Sequence, residues 1–267
     1  MRIPAFVAGF VLTLGTLISV TAFVAYVTAP SQYHVLIVGS DQRGSERARS
    51  DVLFLVSIPK DGSQKPYILS IPRDTKIEHD TYGLQKITHF YALGERPDDG
   101  KELGNIALTT EVVEGLLDTH IDATFEVTFT SFEDILTAVG GAVIDGKTVA
   151  AADALAIVRD RFTDGRSDFS RQADERQIFR SMLTQVKDIR NLKTIISLTK
   201  TSPDVRLQYK RLPLIRFLIG AAMSRHGRVE IGEMEEGELP GSGGRIYTPD
   251  FERNCTIGCP IWQQCRH

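Results

Sequence analysis

Apolar and polar positions divide the chain into one long apolar run at its N-terminus and a body of short apolar strands and amphipathic helices. The run covers residues 3–29, and no charged residue stands between Arg2 and Asp41. It is longer than the roughly 20 residues that a helix needs to cross a bilayer. A secretory signal peptide has an apolar segment of only about 7–15 residues, and Pro30 directly after Ala29 is a poor place for cleavage. The pattern favours an uncleaved transmembrane anchor, with a signal peptide as the alternative.

The charge next to this run predicts its orientation. Arg2 and the α-amino group are the cations nearest the N-terminus, and positive charge favours the cytoplasmic side. We therefore expect a single-pass cell-membrane protein with a cytoplasmic stub and anchor at 1–30, an extracytoplasmic domain at 31–250 and a tail at 251–267.

The tail contains all three cysteines of the chain: Cys255, Cys259 and Cys265. In an oxidising compartment two of them can pair and leave one over. A zinc site is the alternative, but it lacks a fourth ligand of convincing spacing, although His267 is nearby. A tail disulfide is the favoured interpretation.

Short apolar runs predict strands at 33–39, 51–58 and 67–71. The residues between the second and third runs are typical of a turn, so these two strands are expected to form a hairpin. Strict alternation at 123–129 predicts a fourth strand with Phe125, Val127 and Phe129 on one face.

Apolar residues at helical spacing predict helices at 102–118, 131–139, 149–158 and 173–190. The second is expected to begin at Ser131, with Asp134 in a capping box, and to end at Gly140. The glycine-rich segment 232–244 is expected to be an exposed loop. Strands mixed with helices predict a single α/β/α sandwich with a central mixed β-sheet flanked by helices, preceded by one transmembrane helix.

Composition permits one large domain or two small ones and gives no reason to expect nucleic acid as a partner. The 267 residues are 42% hydrophobic and 24% charged, with a formal net charge of −3. Proteins that bind the phosphate backbone of nucleic acids carry a basic footprint. An anion site must therefore be local, and residues 158–171, with four arginines and three aspartates, are a candidate.

Charged residues also flank the predicted strands. Asp41 follows the first strand, Arg73 and Asp74 follow the third, and Arg49 and Asp51 stand at the start of the second. If the second strand is antiparallel to its neighbours, its start lies at the edge where theirs end. Ligands bind at the carboxyl ends of strands in open α/β sheets, so this edge is the predicted site.

These residues suit a multiply charged phosphate ligand. Asp41 and Asp51 could hold Mg²⁺, which takes carboxylates, waters and phosphate oxygens. Arginine donates in a planar fork that matches phosphate, and Arg159 and Arg161 would point the same way in an extended segment. The spacing is equally compatible with structural ion pairs that bind no ligand.

Seven motifs in this order resemble the LytR-CpsA-Psr family over about residues 33–250: VLIVGSDQR, RSDVLFLVSI, LSIPRD, KITHFYALG, FEDILTAVGG, ADALAIVRDRF and DFSR. The resemblance implies a membrane-anchored α/β/α domain that binds a polyprenyl pyrophosphate. It implies transfer of a lipid-linked glycopolymer to peptidoglycan or a similar acceptor. An older label of the family is transcriptional attenuator.

By position, the resemblance assigns roles to individual residues. It implies that Asp41 and Asp51 bind Mg²⁺, and that the pyrophosphate is contacted by Arg49, Arg73, Arg159, Arg161 and Arg171. The expected catalytic set is Asp41, Asp51, Arg73, Arg159 and Arg161. Arg43 and Asp74 match motif positions whose role is open between binding and structure.

The chain departs from the family pattern at three places. Asp174 and Glu175 stand where the family has Arg-Gln, which here comes two residues later at Arg176–Gln177. Two residues rotate a helix by about 200°. Thr88 replaces the asparagine of a Lys-Ile-Asn motif, and the segment between Gly141 and Ala154 is short.

The implied reaction is phosphoryl transfer by a phosphotransferase, in which a sugar hydroxyl of the acceptor displaces polyprenyl phosphate. The carrier's tail requires apolar walls, for which the candidates are Phe125, Val127, Phe129 and Phe132, although packing in the core is the commoner role of such residues. The alternatives are a lipid-phosphate sensor without turnover and a lipid pyrophosphate hydrolase.

Overall fold

The computed structural model describes residues 5–41, 48–60, 64–93, 104–144, 146–159, 177–182, 184–185, 197–202, 204–222, 235–238 and 246–247. The helices are α1 (Ala5–Val27), α2 (Ile87–Phe90), α3 (Ile106–Leu117), α4 (Phe129–Val139), α5 (Ala151–Arg159), α6 (177–182), α7 (197–201) and α8 (Arg211–Ala222). The strands are β1 (Gln32–Ser40), β2 (Ser50–Pro59), β3 (Tyr67–Ser70), β4 (Lys76–His79), β5 (Gly83–Lys86), β6 (Ala123–Thr128), β7 (Ala142–Ile144), β8 (Lys147–Val149), β9 (Val205–Tyr209), β10 (Glu235–Glu238) and β11 (Ile246–Tyr247).

A six-stranded mixed sheet is the centre of the fold, in the order β10-β3-β2-β1-β6-β9. Strand β2 is antiparallel to both β1 and β3, which confirms the predicted hairpin, and β1 runs parallel to β6. The start of β2 therefore lies at the edge where β1 and β3 end. Two smaller sheets, β11-β4-β5 and β7-β8, lie outside this one.

Alternate residues of the strands point to two apolar layers. Leu36 and Val38 of β1 belong to a cluster with side chains of α2 and α3. Ile37, between them, belongs to a second cluster with side chains of α4, α5 and α6. Helices therefore cover both faces of the sheet, and the predicted α/β/α sandwich is confirmed.

The start of α4 differs from the prediction. Thr128, the last residue of β6, caps this helix by accepting a hydrogen bond from the Ser131 amide at 3.3 Å. Ser131 itself is buried inside the helix. Both residues are good caps by composition, and the strand joins the helix with no loop between them, which the alternating pattern did not reveal. The predicted end is confirmed, because Gly140 has a φ of +92°.

The segment expected to be an exposed loop contains a strand. Residues Glu235–Glu238 form β10, which pairs in parallel with β3. An edge strand offers unpaired backbone groups to any extended segment, and that pairing carries no signal in a sequence rich in glycine and glutamate.

One helix among the described residues is long and apolar enough to cross a membrane. It covers Gly9–Val27, has a mean hydropathy of 2.1, and none of it is buried inside the protein. This is consistent with the predicted anchor and equally with a signal peptide. The domain boundaries stay predictions, and the three cysteines lie outside the described residues.

Candidate functional site

A tight turn after β3 holds Arg73 and Asp74. The Thr75 amide donates to the Pro72 carbonyl at 2.9 Å, and the Thr75 hydroxyl donates to the same oxygen at 2.6 Å. Arg73 and Asp74 occupy the two central positions of this turn. The Thr88 amide of α2 donates to the Arg73 carbonyl at 3.3 Å, so the turn is fixed from both ends.

The end of β1 and the start of β2 are joined through Asp41. Its amide donates to the Arg49 carbonyl at 3.2 Å, and its carboxylate Oδ1 accepts from the Arg49 amide at 3.0 Å. These two bonds place the half-buried Asp41 opposite the exposed Arg49 at the edge of the sheet.

A β-bulge presents Asp51. The register pairs Gly39 with Val52 and Ser40 with Ser50, so Asp51 is the extra residue between them. A bulge disrupts the ladder locally and re-aims the side chain of the bulged residue, and bulges are frequent next to active sites. Nothing in the apolar pattern of residues 51–58 indicated it.

Ion pairs connect these segments. Arg73 Nη1 lies 3.3 Å from Asp51 Oδ1, with 26% of the arginine side chain and 11% of the aspartate side chain exposed. Arg73 Nε is 3.8 Å from Asp74 Oδ2, and Lys86 Nζ is 2.5 Å from Asp74 Oδ1. Asp41, Arg49, Asp51 and Arg73 thus lie at one edge, which we call the rim. The alternative that these charged residues form structural ion pairs applies to one pair, because Asp51 and Arg73 contact each other directly.

Sequence reasoning missed two further residues of the rim, Lys86 and His89. Burial lowers the pKa of His89, and the positive charges of Arg49 and Lys86 lower it further against the opposing effect of Asp74. The imidazole of His89 therefore resists protonation next to these cations. Both residues belong to the KITHFYALG motif, but neither has a charged neighbour in sequence that would have drawn attention to it.

Thr88 contributes a buried polar atom next to Arg73. Its side chain is 5% exposed, and its hydroxyl has no hydrogen-bond partner within the described part of the chain. Such groups are rare in folded proteins because an unsatisfied buried hydroxyl costs about 1–3 kcal/mol. This is the position at which the chain departs from the Lys-Ile-Asn motif.

The residues at the rim fit a Mg²⁺ ion that is bound by two carboxylates and shared with water and substrate. In the described segments, no group of three or more His, Cys, Asp or Glu side chains is placed to hold a metal ion. Mg²⁺ commonly takes one or two carboxylates and completes its shell with waters and substrate phosphate oxygens. Asp41 and Asp51, on adjacent strands, match that donor set, whereas an all-protein metal site does not fit.

The arginine-rich half of the expected site is only partly described. Arg159 is the last residue of α5, and nothing is described of its side chain. Arg43, Arg161, Arg171 and Arg176 lie outside the described residues. Their contribution to the site stays a prediction.

Gln177, from the displaced Arg-Gln pair, lies in α6. It lines a cavity of about 570 Å³ beside the β7–β8 hairpin, together with Arg180, Ser181 and Gln185. This cavity is formed by elements other than those that build the rim.

The four candidate lipid-channel residues belong to one apolar layer. Val127 and Phe132 are buried in the second cluster, and Phe125 and Phe129 are partly buried against it. The ring of Phe132 stacks on Phe179 with centroids 5.1 Å apart. Phe129 is the first residue of α4 rather than a strand residue, yet it still packs on the same layer.

Comparison with known proteins identifies the family. The model of the LytR_cpsA_psr family matches residues 19–153. A polyisoprenyl-teichoic acid–peptidoglycan teichoic acid transferase TagU of Bacillus cereus is 32% identical over 166 residues, which cover 56% of this chain and 51% of the relative. The TagU of Bacillus anthracis is 34% identical over the same length and coverage. The chain spans about half the length of the curated relatives it matches.

Solved structures share the fold. Bacillus subtilis TagU matches with a TM-score of 0.54 and 23% identity, over 82% of this chain and 90% of that one. A structure of TagT bound to LIIa-WTA matches with a TM-score of 0.56 and 22% identity, over 82% and 84% of the two chains. A Streptococcus agalactiae protein, gbs0355, has a TM-score of 0.60 and 19% identity, over 79% and 78%.

Proposed function

The chain belongs to the LytR-CpsA-Psr family, and on that premise we propose that it is a membrane-anchored transferase. It would move a glycopolymer from a polyprenyl-pyrophosphate carrier to peptidoglycan or a similar envelope acceptor. The names of the TagU relatives support the reaction class, since they describe transfer of teichoic acid from a polyisoprenyl carrier to peptidoglycan. The helix at Gly9–Val27 supports the anchor.

The observation that carries this proposal is the position of Arg73. Its guanidinium is partly exposed, is held on a fixed turn, and pairs with Asp51 at 3.3 Å. A preorganised arginine that retains solvent access can bind phosphate oxygens through two parallel N–H bonds. Arg49 and Lys86 add positive charge at the same edge, where both lower the pKa of His89.

Asp41 and Asp51 would hold Mg²⁺. When bound, the ion would neutralise charge on the pyrophosphate oxygens. Asp41 is oriented for this by the Arg49 amide, and Asp51 by the bulge.

Transfer would then depend on positioning and charge stabilisation. An acceptor hydroxyl would attack the sugar-proximal phosphorus. Its new P–O bond forms as the bond to the bridging oxygen breaks, its proton passes to solvent, and polyprenyl phosphate leaves. Arg73, Arg49 and the arginines expected from residues 159–171 stabilise the charge on the phosphoryl oxygens, which is the main source of catalysis in phosphoryl transfer.

The path of the carrier's tail follows from the length of β1. The rim lies at the end of β1, and α1 is joined to its start, so the two are separated by about 30 Å at 3.3 Å per residue. An apolar tail that reaches the rim from a membrane around α1 requires an apolar route of this length. The second cluster, with Phe125, Val127, Phe129 and Phe132, extends between sheet and helices in that direction and is the proposed channel.

Release of polyprenyl phosphate from a polyprenyl-pyrophosphate-linked glycan tests the proposal. The full chain in detergent is expected to release it when a peptidoglycan acceptor is present. Arg73→Ala and Arg73→Lys are both expected to lower the rate by about 100-fold or more, because one preorganised donor is typically worth that much and lysine lacks the planar fork.

Lys200→Ala, at an exposed position of α7, is the control and should retain the rate. Full activity of Arg73→Ala would overturn the site assignment. Donor consumption without acceptor would indicate a hydrolase, and tight donor binding without any turnover would indicate a sensor.

A further inference from the structure

Helix α8 has apolar residues on two opposite sides. On the inner side, Phe217 is 7% exposed, and its ring lies 5.2 Å from that of Tyr33 at the start of β1. On the outer side, Leu212, Ile215 and Leu218 are 57%, 53% and 56% exposed. Their spacing of three residues aligns them in one stripe along the helix. The inner side anchors the helix, whereas more than half of each side chain in the stripe stays exposed among the described residues.

The charges of α8 indicate which kind of surface the stripe contacts. The helix contains Arg211 and Arg216 and no acidic residue. Arg211 is exposed, and Arg216 is partly exposed beside the stripe. Apolar residues flanked by cations on one exposed helix are typical of helices that lie in the interface of a bilayer containing anionic lipid.

The neighbours of α8 place it at the height of the membrane surface. Helix α1, the candidate span, contacts α8. Near the end of α1, Nζ of Lys60, the residue after β2, lies 5.0 Å over the ring of Tyr26. The point where α1 would leave the bilayer is therefore next to α8 and to the edge of the sheet opposite the rim.

The apolar layers connect α8 to the proposed channel. A small cluster of Tyr33, Ala123 and Phe217 lies beneath α8. Val35 and Ile58 pack against this cluster and also against the second cluster. Apolar side chains are thus continuous from α8 to the layer that contains Phe132.

We propose that α8 lies on the outer surface of the bilayer, with Leu212, Ile215 and Leu218 inserted among the lipids and Arg211 and Arg216 against anionic headgroups. This contact rests on the proposed anchoring by α1. It holds the mouth of the apolar layer, at Val35 and Ile58, against the membrane, so that a polyprenyl tail enters the domain without crossing water.

Tryptophan fluorescence in vesicles tests this contact. The full chain carries one tryptophan, Trp262, so Ile215→Trp is made in a Trp262→Phe background and inserted into phosphatidylcholine–phosphatidylglycerol vesicles with or without doxyl-labelled lipid. The control is Leu84→Trp in the same background, because Leu84 is 51% exposed and lies on β5. The tryptophan at 215 is expected to emit at shorter wavelength and to be quenched by the doxyl lipid. The tryptophan at 84 is expected to show neither effect.

Equal quenching at the two positions in vesicles that retain the chain through a carbonate wash would overturn the proposal. Protection of position 215 from acrylamide without quenching by lipid would also overturn it, since it would indicate a protein partner or a second copy. Loss of the chain in the wash would contradict anchoring by α1 and this contact with it. Release of polyprenyl phosphate by Ile215→Trp in detergent is measured in parallel, and it tests the proposed reaction separately.

Discussion

At the scale of single residues, neighbouring groups orient three side chains of the rim: Asp41, Asp51 and Arg73. Arg73 is fixed through its carbonyl by the Thr88 amide and through its guanidinium by Asp51. Asp41 is fixed by the Arg49 amide. Preorganised groups lose little freedom when a ligand binds. The fixed orientation of these side chains therefore favours binding of a charged headgroup.

At the other end of β1, His34 is expected to make the stability of the fold depend on pH. Burial lowers its pKa from the ordinary value of 6.5, although Asp122 opposes the shift. The unfolded chain therefore takes up a proton that the folded chain resists, and the free energy of unfolding is expected to fall as the pH drops through about 6.5. Denaturant unfolding at pH 7.5 and 5.5 measures this.

His34→Asn retains a polar group near the Ser57 hydroxyl, which lies 2.8 Å from the imidazole Nδ1, and cannot titrate. This variant should lose less stability than the unchanged chain between the two pH values. His89, whose pKa is also lowered, contributes equally to both proteins and cancels in the comparison. Identical pH dependence would show that His34 is not responsible.

The sequence predicted Asp41, Arg49, Asp51 and Arg73 as neighbours because each stands where a strand begins or ends. The bulge at Asp51 was not predictable, because it depends on the register between two strands rather than on either strand alone. Lys86 and His89 were missed for a related reason, since a separate small sheet and a short helix carry them to the rim.

At the scale of elements, helix α3 offers a matched pair of glycines. Gly104 directly precedes the cap Asn105, and a Cβ built there would lie 2.2 Å from the buried ring of Tyr91. Gly115 lies inside α3, and apart from the helix's own backbone no atom of the described residues is within 4 Å of its Cβ position. Gly104→Ala is expected to lower the free energy of unfolding by about 1–3 kcal/mol through overpacking.

Gly115→Ala is expected to raise the free energy of unfolding by about 0.5–1 kcal/mol, since alanine favours helix and the site has room. Denaturant unfolding of the full chain in detergent compares the two variants. A stabilising effect of Gly104→Ala would contradict the packing of Tyr91.

Strands β1 to β3 and helices α3 to α5 were predicted because their apolar period appears within a few residues. Strand β10 was missed because its partner β3 lies more than 150 residues earlier in the chain, and local composition does not report such a pairing. The error at the start of α4 has a local cause, since two good capping residues stand three positions apart.

At the scale of the whole molecule, the central sheet separates the two proposed sites. The charged rim lies where β1 ends, and α1 and α8 lie where β1 starts. The succession of short apolar strands and amphipathic helices along the chain was enough to predict the sandwich. The placement of α8 against α1 was not predictable, because nothing in the sequence of α8 indicates which helix it contacts.

Calorimetric titration of the full chain with farnesyl diphosphate in detergent, with and without Mg²⁺, tests most directly whether the rim binds a polyprenyl diphosphate. We expect saturable binding that Mg²⁺ strengthens. Arg73→Ala and Asp51→Asn should each weaken it about 10-fold or more, because a hydrogen bond to a charged group contributes about 1.5–3 kcal/mol. Binding of equal strength in both variants, unaffected by Mg²⁺, would contradict the proposed site.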